Sequence, residues 1–259
     1  MIRRFLFKLQ RNEFLFEELV KRDFKKKYKR TMLGMAWSVL SPLLTLLVMS
    51  VVFSNILGRN IAHYTIYLFC GNLVFSYFRE STNGGMRALL QNATIFTKVN
   101  IPKYLFVLSK NVSALINFSL TMVVFLIFVL LEGLRLNFYF FALIYPICCL
   151  VVFNIGVGLI LSALLIFFRD MAYLYDIFTM LLMYVSVIFY SIKGFSPAGQ
   201  KLFLLNPIYC YIAYFRAVVL EASLPSAGLH LLCAFYAFAA AAAGAFIYKK
   251  YNQRFLYYV

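Results

Sequence analysis

Acidic residues are the scarcest chemistry in this 259-residue chain: nine Asp and Glu stand against 25 Lys and Arg, with two histidines and one tryptophan. Lipid-phosphate transferases and membrane hydrolases need clustered carboxylates or a His/Asp nucleophile system, and the sequence holds neither. His63 and His230 have no ligand set beside them, which argues against metal chemistry. The five cysteines show no CxxC spacing. Cys70, Cys148, Cys149 and Cys233 sit in apolar stretches and Cys210 stands alone near Pro207, so all five read as packing residues. No GxxxxGK[ST] segment occurs, so the Gly-rich phosphate cradle of a nucleotide hydrolase is missing. Charge is also sparse inside the apolar runs, where ion-coupled carriers keep their proton or sodium carboxylates.

What is present is grease with a basic front. Apolar residues make up 64% of the chain and mean hydropathy is +0.84, against about 45–50% apolar in soluble domains. The length leaves room for roughly six spans of about 20 residues and no sizeable aqueous domain. Eleven Lys/Arg fall within residues 1–30, and an uncharged run follows from Thr31 to Gly58. By the positive-inside rule this fixes the amino end in the cytoplasm. The run starts too late, is too long and lacks a small-residue cleavage site, so no cleaved secretory signal is expected.

Apolar length and charge breaks predict spans at Met32–Leu57, Tyr64 to about Leu90, Tyr104–Leu131, Phe138–Phe167, Tyr173–Tyr190 and Leu229–Tyr248. An even number puts both termini in the cytoplasm. On that topology 20 Lys/Arg lie inside and five outside (Arg59, Arg135, Lys193, Lys201, Arg216), which supports the count. The second span must carry Arg79, Glu80 and Arg87. Arg79 and Glu80 either snorkel at the inner interface or face the protein interior, and Gly84–Gly85 would admit a close neighbour. The stretch between the fifth and sixth spans contains three prolines and the apolar segments Leu202–Leu205 and Ile208–Leu220, broken at Asn206–Pro207. It reads as short helices re-entering the outer leaflet, a candidate external gate. Arg169–Asp170 marks the tight inner turn before the fifth span. The expectation is an all-α integral membrane protein: a cytoplasmic arm over 1–31, carrying an amphipathic interfacial helix, and a six-helix membrane domain over 32–259.

After Asn12, a plausible N-cap, Phe16, Leu19, Val20, Phe24 and Tyr28 recur at spacings of three and four, with Lys21, Arg22, Lys25, Lys26 and Lys29 on other faces. That pattern predicts a helix lying in the membrane surface, apolar side down. So basic an arm could also contact nucleic acid, but with a membrane beside it anionic lipid is the nearer partner. The alternative is charge that only sets topology.

Arg22-Asp23-Phe24-Lys25, Tyr28-Lys29, Leu33-Gly34, Trp37 and Pro42 resemble the opening signature of ABC-2 type permeases that export cell-surface polysaccharides, such as O-antigen and teichoic acid. The resemblance continues through Pro102, Phe168-Arg169-Asp170, and Asn206-Pro207 with Arg216. It implies a homodimer of six-helix subunits in the bacterial cytoplasmic (inner) membrane, docked on two copies of a separate ATPase chain that binds ATP and Mg. This chain itself would hold no cofactor or metal. The glycan, attached to a lipid, would pass between the two membrane subunits. Two places depart from the pattern. Ile101-Pro102-Lys103 replaces Phe-Pro-Arg, and Ser186-Val187-Ile188 with Tyr190-Ser191 replaces a proline-bearing fifth helix, leaving the kink there open.

On this resemblance the arm (about Glu13 to Arg30) and the loop near Asn92–Lys103 meet the ATPase, with Arg22, Asp23, Lys25, Asn92, Lys98, Pro102 and Lys103 as coupling residues. Arg22, Lys25 and Arg30 would attract the headgroup or pyrophosphate of the lipid-linked glycan. Aromatic faces stack on sugar rings, so Trp37, Tyr184, Phe189, Tyr190 and Tyr214 are candidates for the translocation path; each also suits packing or an interfacial belt. An ABC-2 permease for a small drug or lipid, an integral membrane glycan or lipid transferase, and a channel are the competing readings.

Overall fold

A long apolar chain in a bilayer has no water to satisfy its backbone, so each segment must close its own hydrogen bonds. The computed structural model follows that rule. It describes residues 12–28, 31, 33–54, 61–99, 101–252, 254–256 and 258, and among them there are helices and turns but no strand. In order these are α1 (Glu13–Tyr28), a 3-10 turn (Gly34–Ala36), α2 (Trp37–Phe53), α3 (Tyr64–Gln91), α4 (Ala93–Phe96), α5 (Tyr104–Leu131) and a 3-10 segment (Phe138–Leu143) leading into α6 (Ile144–Phe167). Then come α7 (Met171–Val185), α8 (Pro197–Phe203), α9 (Pro207–Val219), α10 (Ala227–Tyr251) and a last 3-10 turn (Arg254–Leu256).

Among the described residues, three helical stretches are long and apolar enough to cross a membrane: Tyr104–Leu131, Phe138–Phe167 and Ala227–Tyr251. Helices α8 and α9 form a broken pair bent by 108°, at the Asn206–Pro207 step where the sequence places a re-entrant element. Asn206 Oδ1 accepts the Ile208 N–H and so caps α9. Helices α2 and α7 are apolar but short, 17 and 15 residues, or about 26 and 22 Å against a hydrocarbon core of about 30 Å. The expected fifth span ran to Tyr190. The helix stops at Val185 because Val187 adopts φ +58°, without either proline.

Helix α3 is the central post: Ile66, Leu68, Phe69, Cys70, Val74, Met86, Ala88 and Leu89 are all fully buried on it, against α5, α6 and α9. Two small-residue crossings bring helices close. A Cβ on Gly85 would sit 3.2 Å from the Gly158 Cα, so the α3–α6 approach rests on Gly85 and Gly158; Gly84 faces the Lys110 side chain of α5 instead. The α6–α10 crossing is tighter, since a Cβ on Gly156 would run into the Ala240–Ala241 backbone and one on Gly244 would meet the Gly156 carbonyl. Without a hydrophobic drive in lipid, such backbone contact is what holds helices together. Gly156→Leu is therefore expected to part α6 from α10 and eliminate the monodisperse solubilised protein on size exclusion. Ala243→Leu, on the exposed side of α10, should leave it unchanged.

The arm differs from its expected pose. Leu19 is buried with Leu89, Phe96, Leu105 and Phe106, and Leu15 and Phe16 pack partly on the same cluster. The apolar stripe of α1 thus faces the protein's inner loop rather than lying wholly on lipid, because Phe96 and Ile101 offer it a dry surface. Phe14 is the exception, 84% exposed.

Candidate functional site

One end of the helical bundle gathers charges from distant parts of the chain. Arg22 donates to Asn92 Oδ1 at 2.8 Å and to Asp23 Oδ1 at 2.9 Å. Lys110 of α5 reaches the same Asp23 oxygen at 3.2 Å. Asn92 is buried and donates back to the Ala88 carbonyl at 2.7 Å, fixing its amide at the end of α3. Asp23 is itself buried, and its Oδ2 has no partner among the described residues. The arm is therefore pinned at one turn to the ends of both α3 and α5.

A second clamp lies beside it. Lys103, buried at the start of α5, donates to the Asn252 carbonyl at 2.6 Å and sits over the rings of Phe96 and Phe255 at 5.6 and 5.7 Å. Phe255 is fully buried in the arm cluster. Burial pushes the Lys103 ammonium below its ordinary range, a cost that the carbonyl and the two ring faces offset. The inner loop is thus held between the arm and the C-terminal turn.

At the other end of α3, a buried arginine organises irregular backbone. Arg216 of α9 donates to the carbonyls of Val187 at 2.7 Å, Ile188 at 3.0 Å and Tyr67 at 3.2 Å, and its guanidinium lies 3.4 Å from the Tyr67 ring centroid. Tyr64 and Tyr67 donate to the Phe189 and Tyr190 carbonyls at 2.8 and 2.5 Å. Asn206 donates to the Ser186 hydroxyl at 3.0 Å. Four consecutive carbonyls past the end of α7 each receive a side-chain donor, which is how non-helical backbone persists at this depth. A Cβ at Gly71 would press on Ile188 and the guanidinium at 3.1 and 3.2 Å, so glycine makes room for both.

Between these ends a cavity of about 450 Å³ opens among α2, α3 and α5. Trp37 and Ser41 of α2, Asn72, Ser76 and Glu80 of α3, and Asn117 of α5 line it. Asn117 donates to Glu80 Oε1 at 2.6 Å. Arg79 points out and Glu80 faces inward, half-buried, so the two readings offered for this pair divide between them.

The sequence model of the ABC-2 type transporter matches residues 15–220, most of the chain. The chain belongs to the ABC-2 type transporter family. The transporter is 27% identical over 247 residues to an O-antigen export system permease protein RfbA of Klebsiella pneumoniae, covering 93% of this chain and 95% of that protein. It is 26% identical over 217 residues to the RfbA permease of Myxococcus xanthus, covering 82% and 83%. A further Klebsiella pneumoniae RfbA is 27% identical over 213 residues, covering 80% and 82%.

Of the coupling residues expected in this ABC-2 transporter, Arg22, Asp23 and Asn92 meet directly, Lys103 and Pro102 lie in the adjoining clamp, and Lys25 and Lys98 are exposed. Arg30 lies outside the described residues. Among the aromatic candidates, Tyr184, Phe189 and Tyr190 gather at the end of α7: the Tyr184 and Phe189 rings are 6.0 Å apart, and Tyr190 donates to the Tyr184 carbonyl at 3.2 Å. Trp37 borders the cavity instead. Tyr214 is buried inside the subunit, bonded to His230 at 2.7 Å and packed on Tyr145. The histidines pair singly, His63 with Glu132 at 3.1 Å, and no cluster able to hold a metal occurs among the described residues. Asp176 bonds Asn83 at 3.1 Å and lies 3.7 Å from Arg87, while Arg169 and Asp170 are exposed. Sequence reasoning missed Lys110, Tyr64 and Tyr67. The last two carried a signal, tyrosines three apart at a helix start, which share one face.

Proposed function

We propose that this ABC-2 transporter is the membrane subunit of an ATP-driven exporter of a lipid-linked cell-surface polysaccharide in a bacterial cytoplasmic membrane. It works as a homodimer of six-span subunits with both termini inside, on two copies of a separate ATPase that binds ATP and Mg. Helices α2 and α7 count as spans in this reading despite their length. The observation that carries it is the convergence of Arg22, Asp23, Asn92 and Lys110 at the inner face, in a chain whose relatives over most of its length are O-antigen export permeases. A push on the arm reaches α3 and α5 directly, because the charges joining them leave no slack to absorb it. Lys25 and Arg30 are in this reading the cations for the anionic linkage of the substrate, with exposed Lys98 and partly exposed Pro102 offered to the ATPase and buried Lys103 holding the loop that carries them. Tyr184 and Tyr190, at the end of α7, would offer aromatic faces on which a sugar chain slides, with Phe189 buried behind them as packing.

The test is genetic and biochemical together. Deleting the gene is expected to remove the surface polysaccharide while leaving its cytoplasmic precursor, seen on carbohydrate-stained gels. The purified protein is expected to bring down an ATPase chain whose hydrolysis it alters at least severalfold. A protein fully active alone, or a deletion strain with normal surface glycan, would overturn the reading in favour of an enzyme or a small-molecule permease.

A further inference from the structure

We infer that the paired C-terminal ends of α6 and α10 form a binding site for the headgroup phosphate of an anionic phospholipid, with Lys250 and Arg254 as its principal cations. This needs only a membrane-embedded chain and stands whether or not the transporter carries a glycan.

Both helices are long enough to be spans, and they end level with each other. Phe167, the last residue of α6, meets Tyr251, the last of α10, edge to face at 5.4 Å, and the same ring lies 5.0 Å from that of Tyr258. Four exposed cations stand about this aromatic group: Arg169 two residues beyond Phe167, Lys249 and Lys250 in the last turn of α10, and Arg254 in the turn that follows. Lys250 and Arg254 converge on one ring, 5.6 and 5.9 Å from the centroid of Tyr251. None of the four makes an ion pair among the described residues. Asp170 and the two helix ends, each worth about half a negative charge, offset only part of this charge. The patch stays cationic and open.

A soluble anion or an acidic protein would answer the charge but not the surface that leads up to it. On α10, Leu231, Phe235, Phe238, Ala242 and Phe246 recur at spacings of three and four and are all exposed. One face of the span is therefore apolar for about four turns and finishes at Lys249 and Lys250. Acyl surface followed by cations, at the level where the span stops, is the order of groups in a phospholipid. Phe168 and Tyr258, 67% and 55% exposed, supply the aromatic rim of such an interface. A zwitterionic lipid brings its own ammonium to the phosphate and gains less, so the patch selects for net negative charge.

The cations are held in place. Phe255 is fully buried, with its ring 5.2 Å from that of Tyr248, and the Asn252 carbonyl accepts from Lys103. These contacts fix the turn that carries Arg254, so a bound headgroup would brace the inner loop through Lys103.

Full-length solubilised protein, stripped of co-purified lipid, is equilibrated with micelles holding equal amounts of phosphatidylglycerol and phosphatidylcholine of matched chains, and retained lipid is counted by native mass spectrometry. Phosphatidylglycerol is expected to exceed phosphatidylcholine about tenfold on the protein, and to raise the temperature at which the monodisperse peak is lost. Lys250→Gln and Arg254→Gln should each weaken its retention about fivefold, the factor for one cation at an anionic surface, and the double variant should lose the thermal gain. Lys193→Gln, which removes the same charge at the opposite end of the bundle, should change neither. If Arg254→Gln does not elute like its parent, Lys249→Gln with Lys250→Gln takes its place. Excess inorganic pyrophosphate should not displace the lipid. Equal retention of both lipids, displacement by pyrophosphate, or unchanged retention in the folded variants would overturn the site. Lipid found on monomers but absent from dimers would give the patch to a second copy of the chain and overturn it as well.

Discussion

Arg216→Leu is expected to leave little folded protein in the membrane. The carbonyls of Val187 and Ile188 lie beyond the end of α7 and take their hydrogen bonds from this guanidinium. Leucine would leave both unpaired in a buried site, at roughly 1–3 kcal/mol each, and would also remove the stacking on Tyr67. Against a total stability of about 5–15 kcal/mol, that is a large share. Arg216→Lys keeps a cation but loses the planar fork that spans three carbonyls, so it should accumulate to an intermediate level and melt between the two. Membrane abundance and thermal loss of the monodisperse peak measure both variants. A leucine variant that accumulates and melts like its parent would show that the segment after α7 is held by something else.

Asp23→Ala is expected to separate the arm's motion from the membrane helices while leaving most of the protein folded. Asp23 is buried and joins Arg22 of its own helix to Lys110 of α5. Its removal leaves the Lys110 ammonium, whose side chain is 16% exposed, without its counter-charge. The clamp made by Lys103, Phe96 and Phe255 remains and keeps the inner loop in place. Stimulation of the proposed partner ATPase should fall at least tenfold, with protein abundance within about twofold of the parent. Lys110→Met in the same chain removes the stranded charge and should restore part of the stimulation, giving an interaction of about 1–3 kcal/mol across the double-mutant cycle. Strict additivity of the two substitutions would place Asp23 and Lys110 outside a shared coupling element.

The helix positions could be read from sequence wherever length and hydropathy spoke together, as in Tyr104–Leu131 and Phe138–Phe167, whose ends match the helical stretches observed. The break at Asn206–Pro207 was equally visible, since proline after a capping residue starts a new helix. The end of α7 was not. No proline marks it, and the left-handed backbone at Val187 is imposed by partners on α3 and α9 that only the fold brings near. The arm shows the same division. Its amphipathic pattern was plain, but the surface that covers it is a loop some 70 residues away, and periodicity cannot tell a lipid face from a protein one. Arg22 and Asn92 were both singled out, while the Asp23–Lys110 pair that locks them has no sequence signature, because Lys110 is a lone charge in an otherwise uncharged helix.

Among the described residues, the side-chain hydrogen bonds from helix α7 to its neighbours lie near its ends. Tyr175 is bonded to Thr82 at 2.5 Å and Asp176 to Asn83 at the inner end, the carbonyl cluster holds the outer end, and Ile177, Phe178, Met180 and Leu181 between them are exposed. A rod tied at both tips, with one bare flank between them, resists sliding, since axial travel must break both knots at once. It yields to bowing and to torsion about its long axis, which strain neither. Force applied at the Tyr175 end would therefore reach the carbonyl cluster as a twist.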